Sequence, residues 1–418
     1  MLDACKCFFQ RQKEKLFQWL CKGVDISKLD LSSLQKNEHF IPIRYEVLLD
    51  KILERSNLSE QEKSDLRYLG LMFQEHYHYD YHQDYLKLKS AFAPFNPDQE
   101  TRYEPEYSED EKQAFRKELI EGIRKFLEVS NYCLMAESEF ADCMKLQPFG
   151  SLSVKIDTGK FDSFDVYCRG LQHVDVTDTY LYIFKHVRPT IQICRVFVLA
   201  QYKEAFGSKI IVKQFRDVQV ENLKIVAPEV KLLLPIFDQI KIGGTFTFSL
   251  GWSLIKMFST LVINLALFVT LLSMTIIAGA KGLFGFLNSR TRCMQVFSSN
   301  LYHKSLSNNV AAVSLLVDQA ETQEVKEALL AYYMLYLHRD TPPSMEQLDK
   351  MVENELEQTF GFYIDFEVDD ALRKLKDKNL LEIIPEENDS PETYRAVTPI
   401  PEALKRLDAI WDSIHTIE

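Results

Sequence analysis

Apolar residues recur every three or four positions through much of 24–145, and this spacing predicts helices with one buried face. Two of these helices have a clear start. Ser59 is followed three positions later by Glu62, and Ser108 by Glu111; each pair is a capping box, which binds the free amides of a helix start. The predicted buried faces carry Leu66, Leu69, Phe73 and Tyr77 in the first helix, and Phe115, Leu119, Ile123 and Phe126 in the second.

The hydrophobic period changes from 3.6 towards 2 at Phe149, and this change predicts strands. Leu152, Val154 and Ile156 alternate with polar residues. Further along the chain, 180–184, 191–199 and 210–215 are short runs rich in β-branched and aromatic residues. We therefore expect a small β or α+β unit over about 149–220.

A stretch of 24 residues without charge, 257–280, lies between Lys256 and Lys281. About 20 apolar residues in a helix cross the hydrocarbon core of a bilayer, so this stretch predicts a transmembrane helix. The surrounding tract, 243–287, is also apolar, and this leaves two alternatives open. One is a single helix whose flanking lysines extend to the interface, and the other is a short hairpin that turns near Asn264.

The last part of the chain returns to a helical period. The first predicted helix there has an apolar face between Val313 and Tyr336, with Glu321, Glu324, Lys326 and Glu327 opposite to it. A second helix begins with the capping box at 344–347, and a third covers 368–379. Two strands, 380–384 and 393–397, follow as a hairpin, and a final helix begins near Pro401. Three helices followed by a hairpin are typical of a winged-helix domain.

These patterns together predict an α+β membrane protein in five parts. They are a helical N-terminal domain (1–148), a β-rich middle unit (149–242), one transmembrane helix or helical hairpin (243–287), a helical connector (288–340) and an acidic, winged-helix-like C-terminal domain (341–418).

Charge is distributed unevenly along the chain. The formal net charge is −12 at pH 7, and 341–418 alone contain 19 acidic and 8 basic residues, a net charge of −11. Nucleic-acid binding depends on neutralising phosphates with cations, so this balance argues against a nucleic-acid partner. The eight cysteines form neither a paired framework nor a zinc-site spacing, and we expect them to be reduced thiols.

Four short segments resemble the transmembrane-protein-143-like family, an uncharacterised family of bacterial and mitochondrial membrane proteins. They are 39–44 (HFIPIR), 95–98 (FNPD), 213–218 (KQFRDV) leading to Pro228, and 300–309 with its continuation to Tyr333. The resemblance implies a membrane-associated protein without an assigned activity, in the bacterial inner membrane or, in a eukaryote, in a mitochondrial membrane. It implies no catalytic residue and no cofactor.

One histidine-rich segment could bind a metal. Glu75, His78 and His82 share one face of a helix, so their side chains could converge on a divalent ion. The same alternation of histidine and tyrosine is also typical of an aromatic helix that packs on a partner while the polar ends of its side chains reach solvent. Lys256 and Lys281 are expected at the membrane boundary, either as anchors or as ligands of lipid phosphate.

The third helix of the winged-helix part could contact DNA, because it carries Arg373, Lys374, Lys376 and Lys378. It also carries Asp369, Asp370 and Asp377 in a strongly acidic surrounding, which favours contact with protein instead.

We therefore expect a non-enzymatic adaptor or scaffold that is anchored in a lipid bilayer and binds a protein partner through its C-terminal module. An oligomer is left open. The alternatives are a metal-dependent membrane enzyme that uses Glu75, His78 and His82, and a lipid-handling or pore-forming membrane protein.

Overall fold

The computed structural model describes most of the chain outside two long gaps. The described residues are 38–98, 103, 105–136, 139–140, 153–155, 158–174, 177–180, 184–187, 191–220, 223, 226–228, 231–233, single helical positions between 269 and 299, 301–385 and 391–414. The chain divides into two compact units. The larger unit comprises Leu31–Met135, Phe161–Arg216 and Leu306–Glu418, and the smaller comprises Met1–Asp30, Ala136–Lys160 and Asp217–Ser305.

Three helices begin the described part of the larger unit: α1 (Tyr45–Arg55), α2 (Glu60–Phe92) and α3 (Glu109–Val129). Both predicted capping boxes are confirmed, because Ser59 and Ser108 exchange hydrogen bonds with Glu62 and Glu111 at the starts of α2 and α3. The predicted face of α2 is buried along its whole length. On α3, Leu119, Ile123 and Phe126 are buried, while Phe115 packs at the edge of the core.

The strands of the described chain are β1 (Cys133–Leu134), β2 (Ser153–Lys155), β3 (Phe161–Val174), β4 (Thr177–Tyr180), β5 (Phe184–Val187), β6 (Ile191–Tyr202), β7 (Ile210–Gln219), β8 (Lys231–Leu233) and β9 (Ser305–Asn308). Five of them form one sheet in the order β1-β3-β6-β7-β9. The expected strands at 191–199 and 210–215 are confirmed as β6 and β7. The single strand expected at 180–184 is wrong: β4 ends at Tyr180, which pairs with Phe184 at the start of β5.

One helix, α4 (Asn309–Leu337), organises the larger unit. Its first half packs with α3 and the sheet in one hydrophobic cluster, and its second half packs with α1 and α2 in another. Every residue from Gln323 to Tyr336 is buried. The expectation that Glu324, Lys326 and Glu327 form a face opposite to the core is therefore wrong, because Lys374 packs on the two glutamates and the chain at Ile41 packs on Lys326.

The C-terminal elements are α5 (Met345–Phe360), α6 (Val368–Asp377), β10 (Leu381–Ile384), β11 (Thr393–Ala396) and α7 (Ile400–Ile414). The predicted order of helices and hairpin is confirmed, and β10 and β11 pair in antiparallel register. A single antiparallel bridge joins Ser344, just before α5, to Thr393 at the start of β11. We call the second half of α4 together with α5, α6, β10, β11 and α7 the winged-helix part, after the predicted order of these elements, and the fold type itself stays a prediction. This part shares one core with α1 and α2.

None of the described helices is both long and apolar enough to cross a lipid bilayer. This finding overturns the predicted membrane fold with its transmembrane helix or hairpin, and the predicted place in a bacterial inner or mitochondrial membrane. The fold is instead a mixed α/β structure with a five-stranded antiparallel sheet. The prediction relied on the absence of charge, which shows that a segment is apolar but not what surrounds it. Among the described positions of this tract, Val269, Ile276 and Ile277 are exposed.

Most of the tract 243–287 lies outside the described residues, including Lys256 and Asn264. Lys281, the second predicted boundary lysine, is helical and exposed. The boundaries of the five parts that the sequence suggested stay a prediction.

Gly70 on α2 lies against the side chain of Tyr45 on α1. A Cβ atom at Gly70 would clash with Tyr45 Oη and lie 3.2 Å from Tyr45 Cζ. We expect Gly70→Ala to lower the free energy of unfolding by about 1–2 kcal/mol, because the tyrosine must move in a packed core. In a Tyr45→Phe background the same change should cost at least about 1 kcal/mol less, since the clashing hydroxyl is gone. Urea unfolding of the four proteins tests this coupling, and equal costs in both backgrounds would contradict it.

Candidate functional site

The most unusual feature of the larger unit is a group of charged side chains inside its core. We call Glu324, Glu327, Asp370 and Lys374 the buried ion cluster. The Lys374 Nζ atom lies 3.0 Å from Glu324 Oε2, 2.6 Å from Glu327 Oε2 and 2.6 Å from Asp370 Oδ2. The side chains of Glu324, Glu327 and Lys374 are each at most 7% exposed. One ammonium therefore gives each of its three N–H groups to a different carboxylate.

The spacing along two helices builds this cluster. Glu324 and Glu327 are three residues apart on α4, and Asp370 and Lys374 are four residues apart on α6, so each pair shares one helix face. The two faces meet because α6 packs directly on α4. The cluster thus joins the third helix of the winged-helix part to the helix at the centre of the core.

The charges in the cluster do not cancel, since three carboxyl groups surround one lysine. Burial alone would lower the pKa of Lys374, but the charges of Glu327 and Glu324 outweigh burial and raise it, so the lysine stays protonated. Burial raises the pKa of Glu324 by more than the positive charge of Lys374 lowers it. A hydrogen bond from Tyr81 also lowers this pKa, but burial outweighs both effects, so Glu324 takes up a proton more readily than an exposed glutamate as the pH falls.

Further polar side chains extend the cluster along α4. The other carboxylate oxygen of Glu327 accepts hydrogen bonds from Asn131 Nδ2 and Gln323 Nε2, both at 3.1 Å. Lys326 Nζ donates to Gln323 Oε1 at 3.3 Å and to the carbonyl of Ile41 at 2.9 Å. Burial, helped by the positive charge of Arg169, lowers the pKa of Lys326 to about 8. Burying polar groups costs free energy unless they are hydrogen-bonded. The side chains of Gln323, Lys326 and Glu327 all have hydrogen-bond partners.

The chain at 38–41, which we call the crossing segment, carries the network to the sheet. The carbonyl of His39 accepts hydrogen bonds from Asn131 and Gln323. Glu38 Oε2 accepts from the backbone amides of Gly170, at 3.0 Å, and Leu171, at 3.2 Å, on β3. Gly170 has φ +66°, a left-handed conformation that suits glycine, and both amides can point at one carboxylate there.

Arg169 fills the space beside the crossing segment. Its guanidinium lies between the rings of Phe40 and Tyr132, 4.4 Å from each ring centroid, and its Nη1 atom donates to the carbonyl of Ser130 at 2.7 Å. Burial lowers the pKa of Arg169 from its ordinary value. The guanidinium of Arg169 is thus held by cation–π contacts with two aromatic rings.

The cations of α6 that could have met DNA are mostly engaged within the protein. Lys374 lies in the buried ion cluster, and Arg373 pairs with Asp370. Lys378 Nζ lies 3.2 Å from Asp80 Oδ2 and 5.1 Å from the centroid of the Tyr77 ring. The exposed residues of α6 carry no net charge: they are Asp369, Arg373, Lys376 and Asp377.

Glu75, His78 and His82 are all exposed on α2. The rings of His78 and His82 stack with centroids 5.8 Å apart. The carboxylate that contacts His78 is Glu321 on α4, at 3.1 Å from His78 Nδ1. Burial raises the pKa of Glu321, and the charge of Glu75 adds to this rise. The metal-binding role of these residues stays a prediction.

The buried carboxylates of Glu324 and Glu327 and the half-buried one of Asp370 also have the geometry of metal ligands, with oxygen atoms within 4.8 Å of one another. The ammonium of Lys374 already supplies a positive charge to all three. The arrangement therefore acts as an internal lock that joins α4, α6, the crossing segment and β3.

Sequence reasoning missed this site. It placed Glu324, Lys326 and Glu327 on the solvent side of α4, and it considered Lys374 for contact with phosphate before it favoured contact with protein. One signal was present: the polar stretch 321–327 interrupts a helix that is otherwise apolar on several faces. A stretch of this kind inside a fully buried helix requires partners, but the sequence does not say that they come from α6 and 38–41.

A second group of carboxylates lies near the surface of the winged-helix part. Burial raises the pKa of Asp349 to about 6, and the charges of Glu353, Asp365 and Asp369 add to the rise. The folded protein then binds more protons than the unfolded chain between about pH 4 and 6, so Asp349 makes stability fall as the pH rises through that window.

We expect Asp349→Asn to raise the free energy of unfolding at pH 7.5 by about 1 kcal/mol, a value reduced for solvent screening of this partly exposed group. The gain should shrink to a few tenths of a kcal/mol at pH 3.5, where the aspartate is mostly protonated in both states. Glu357→Gln, which removes one exposed charge from the same helix, is the control and should change stability by less than about 0.5 kcal/mol. Urea unfolding at the two pH values measures both, and a gain that persists at its full size at pH 3.5 would contradict the electrostatic cause.

Comparison with models of known protein families gives a match over the middle of the chain. A family model described as "Protein of unknown function (DUF3754)" matches residues 199–311, which include the end of β6, all of β7 and all of β9. No solved structure matches the chain. Nothing in these results indicates the transmembrane-protein-143-like family, so the resemblance drawn from the four short segments is corrected. Segments of four to ten residues are each too unspecific to identify a family.

Proposed function

We propose that this chain is a protein-binding adaptor and that its winged-helix part docks a basic protein partner. The observation that carries the proposal is the group of carboxylates that we call the acidic face: Asp349, Glu353, Asp365 and Asp369. Their negative charges act on one another strongly enough to contribute to the raised pKa of Asp349. A lysine or arginine of a partner would relieve this repulsion.

The surface around the acidic face supports the same proposal. Tyr363 is 66% exposed and donates its hydroxyl to Glu353 Oε1 at 3.3 Å. Exposed tyrosines are frequent in protein interfaces, because they combine a large apolar ring with a polar tip. Among the described residues of 341–414, the exposed acidic side chains outnumber the exposed basic ones. The acidic ones are Glu346, Glu357, Asp369, Asp377, Glu382, Glu392, Asp408 and Asp412, and the basic ones are Lys350, Arg373, Lys376 and Lys405.

The state of α6 favours a protein partner over DNA. A helix that enters the major groove needs cations that are free to reach phosphates and base edges. Lys374 and Lys378 are instead paired with carboxylates of the protein's own core and of α2. Because the outward side of α6 carries no net charge, it lacks the attraction on which nucleic-acid binding depends.

A zero-length carbodiimide crosslinker, which couples carboxylates to lysines, suits this proposal. The full-length protein is added to an extract of its source cells, crosslinked, and mapped by mass spectrometry. We expect crosslinks from the acidic face to lysines of a partner, and these should fall about tenfold in Asp349→Asn/Asp369→Asn. Glu118→Gln/Glu128→Gln removes the same charge from exposed positions of α3 and is the matched control.

The control variant should retain the crosslinks, and rising salt should weaken them as it screens the charges. Partner crosslinks that are equally strong in both double variants would overturn the acidic face as the docking surface. Fluorescence anisotropy with a 20-base-pair DNA duplex tests the rival partner. Binding near physiological salt that is lost in Arg373→Ala/Lys376→Ala would replace the adaptor proposal by a DNA-binding one.

A further inference from the structure

Two cysteines that lie 35 positions apart in the sequence are direct neighbours in the sheet. In the antiparallel pairing of β1 with β3, Cys133 lies opposite Cys168, and Leu134 lies opposite Tyr167. The pairing continues to Met135, whose amide donates to the carbonyl of Val166 at 2.9 Å, so the register is held on both sides of Leu134. The two cysteines are not joined by a disulfide in this structure.

We infer that Cys133 and Cys168 are a redox modification site, in which a small-molecule disulfide converts the two thiols into a cross-strand disulfide. Met135 and Val166 are a hydrogen-bonded pair, so Cys133 and Cys168, two positions along the ladder, are also one, with Cα atoms about 5.5 Å apart and side chains on the same face of the sheet. Disulfides span Cα distances of about 4.4–6.8 Å, so the bond needs no change of register, and the Cβ atoms must come to about 3.5–4.5 Å.

The third described cysteine differs in its position. Cys194 lies on β6 next to Arg195, which pairs with Arg169, and Ile193, which pairs with Gln172. The register of β3 and β6 shifts between these two pairs, so the segment of β3 that faces Cys194 is the bulge at Gly170 and Leu171. Cys194 is buried like Cys168, and it therefore provides a matched control for the loss of a buried thiol.

The reaction proceeds by thiol–disulfide exchange with an oxidant such as glutathione disulfide. Cys133, the more exposed of the two, loses its proton, and its thiolate attacks one sulfur of the oxidant and releases one thiol. The thiolate of Cys168 then attacks the Cys133 sulfur of the mixed disulfide and releases the second thiol. Two protein thiols and one oxidant disulfide thus become one protein disulfide and two small thiols, so electrons and protons balance.

The surroundings set the rate of the first step. Burial raises the pKa of Cys133 to about 11, and the charges of Glu38 and Glu367 add to the rise. The reactive thiolate is therefore scarce at neutral pH. As long as the pH stays below that pKa, the thiolate fraction rises about tenfold for each unit by which the pH increases. The site should react slowly at pH 7 and much faster at pH 9.

The new bond would tie β1 to β3 beside the internal lock. Asn131, which donates to Glu327, lies two residues before Cys133, and Arg169 follows Cys168 directly. Closing a 35-residue loop restricts the unfolded chain, so the oxidised protein should melt higher than the reduced protein, by about 5 °C or more.

The test uses the full-length protein, incubated with glutathione disulfide at pH 9 and digested with trypsin and a glutamate-specific protease without reduction. This digestion isolates Cys133 in the peptide 129–137 and Cys168 in the peptide 161–169, and it separates Cys133 from Cys143. We expect a linked pair of these two peptides in the wild type and in Cys194→Ser. Cys133→Ser should lose the linked pair and also the rise in melting temperature upon oxidation.

Two results would overturn the inference. One is a glutathione adduct on Cys133 that persists while Cys168 remains a thiol. The other is a Cys133 or Cys168 disulfide to another cysteine of the chain. The melting temperature of reduced Cys133→Ser should match the reduced wild type within a few degrees. The peptide map of the wild type decides the question even if a variant folds poorly.

Discussion

Replacing Lys374 by alanine is expected to lower the free energy of unfolding by about 3–5 kcal/mol, the largest effect of any single charge in the described chain. The change leaves Glu324, Glu327 and Asp370 facing one another without the ammonium that binds all three. Carboxylates buried in this way must either repel one another or take up protons, and both outcomes cost free energy of folding. Urea unfolding followed by circular dichroism at pH 7.5 measures the loss.

Arg373→Ala is the matched control, because it removes the neighbouring cation from the exposed side of the same helix. Its effect should remain below about 1 kcal/mol, as for other surface ion pairs. Burial raises the pKa of Glu324, so without Lys374 the folded protein gains stability by binding protons as the pH falls. The difference in the free energy of unfolding between wild type and Lys374→Ala should therefore become smaller as the pH is lowered from 7.5 to 5. Equal losses for Lys374→Ala and Arg373→Ala would show that the buried ion cluster is not a stabilising lock.

The features that local chemistry determines were predictable from the sequence. The capping boxes at Ser59 and Ser108 start helices at the next residue, because a capping box needs only the four residues that form it. The strands β6 and β7 are dense in β-branched and aromatic residues, and they lie where the pattern placed them. The strand β3 was not predicted as one element. Its first half carries Asp162, Ser163 and Asp165, and only pairing with β6 over its whole length compensates for their low strand propensity.

The candidate site was not predictable in the same way, because it depends on contacts between distant parts of the chain. Lys374 and Glu327 are 47 positions apart, and the crossing segment contacts α4 across more than 280 positions. The charged residues of 321–327 were predicted to face solvent. Helical spacing shows which residues share one side of a helix, but it does not show whether that side is exposed to water. The error at 257–280 has the same form: the absence of charge described the segment without describing its surroundings.

The second large effect is expected at Tyr332, a fully buried residue near the end of α4. Its hydroxyl donates to the carbonyl of Val397 at 2.7 Å, just after β11, and its ring stacks on Tyr336 with centroids 6.3 Å apart. Tyr332→Ala should lower the free energy of unfolding by about 3–5 kcal/mol, because it opens a large cavity where α4 supports the winged-helix hairpin. Tyr332→Phe keeps the ring and loses only the hydrogen bond, so it should cost about 1–2 kcal/mol.

Tyr68, which is 54% exposed on α2, provides the matched pair of controls. Tyr68→Ala and Tyr68→Phe should each change the free energy of unfolding by less than about 0.5 kcal/mol. If α4 is the shared first helix of both the N-terminal core and the winged-helix part, Tyr332→Ala should lower the stability of both together. Hydrogen exchange followed by mass spectrometry then shows faster exchange in α1 as well as in β10 and β11. Faster exchange confined to the C-terminal elements would mean that the winged-helix part unfolds by itself and that α4 does not couple the two.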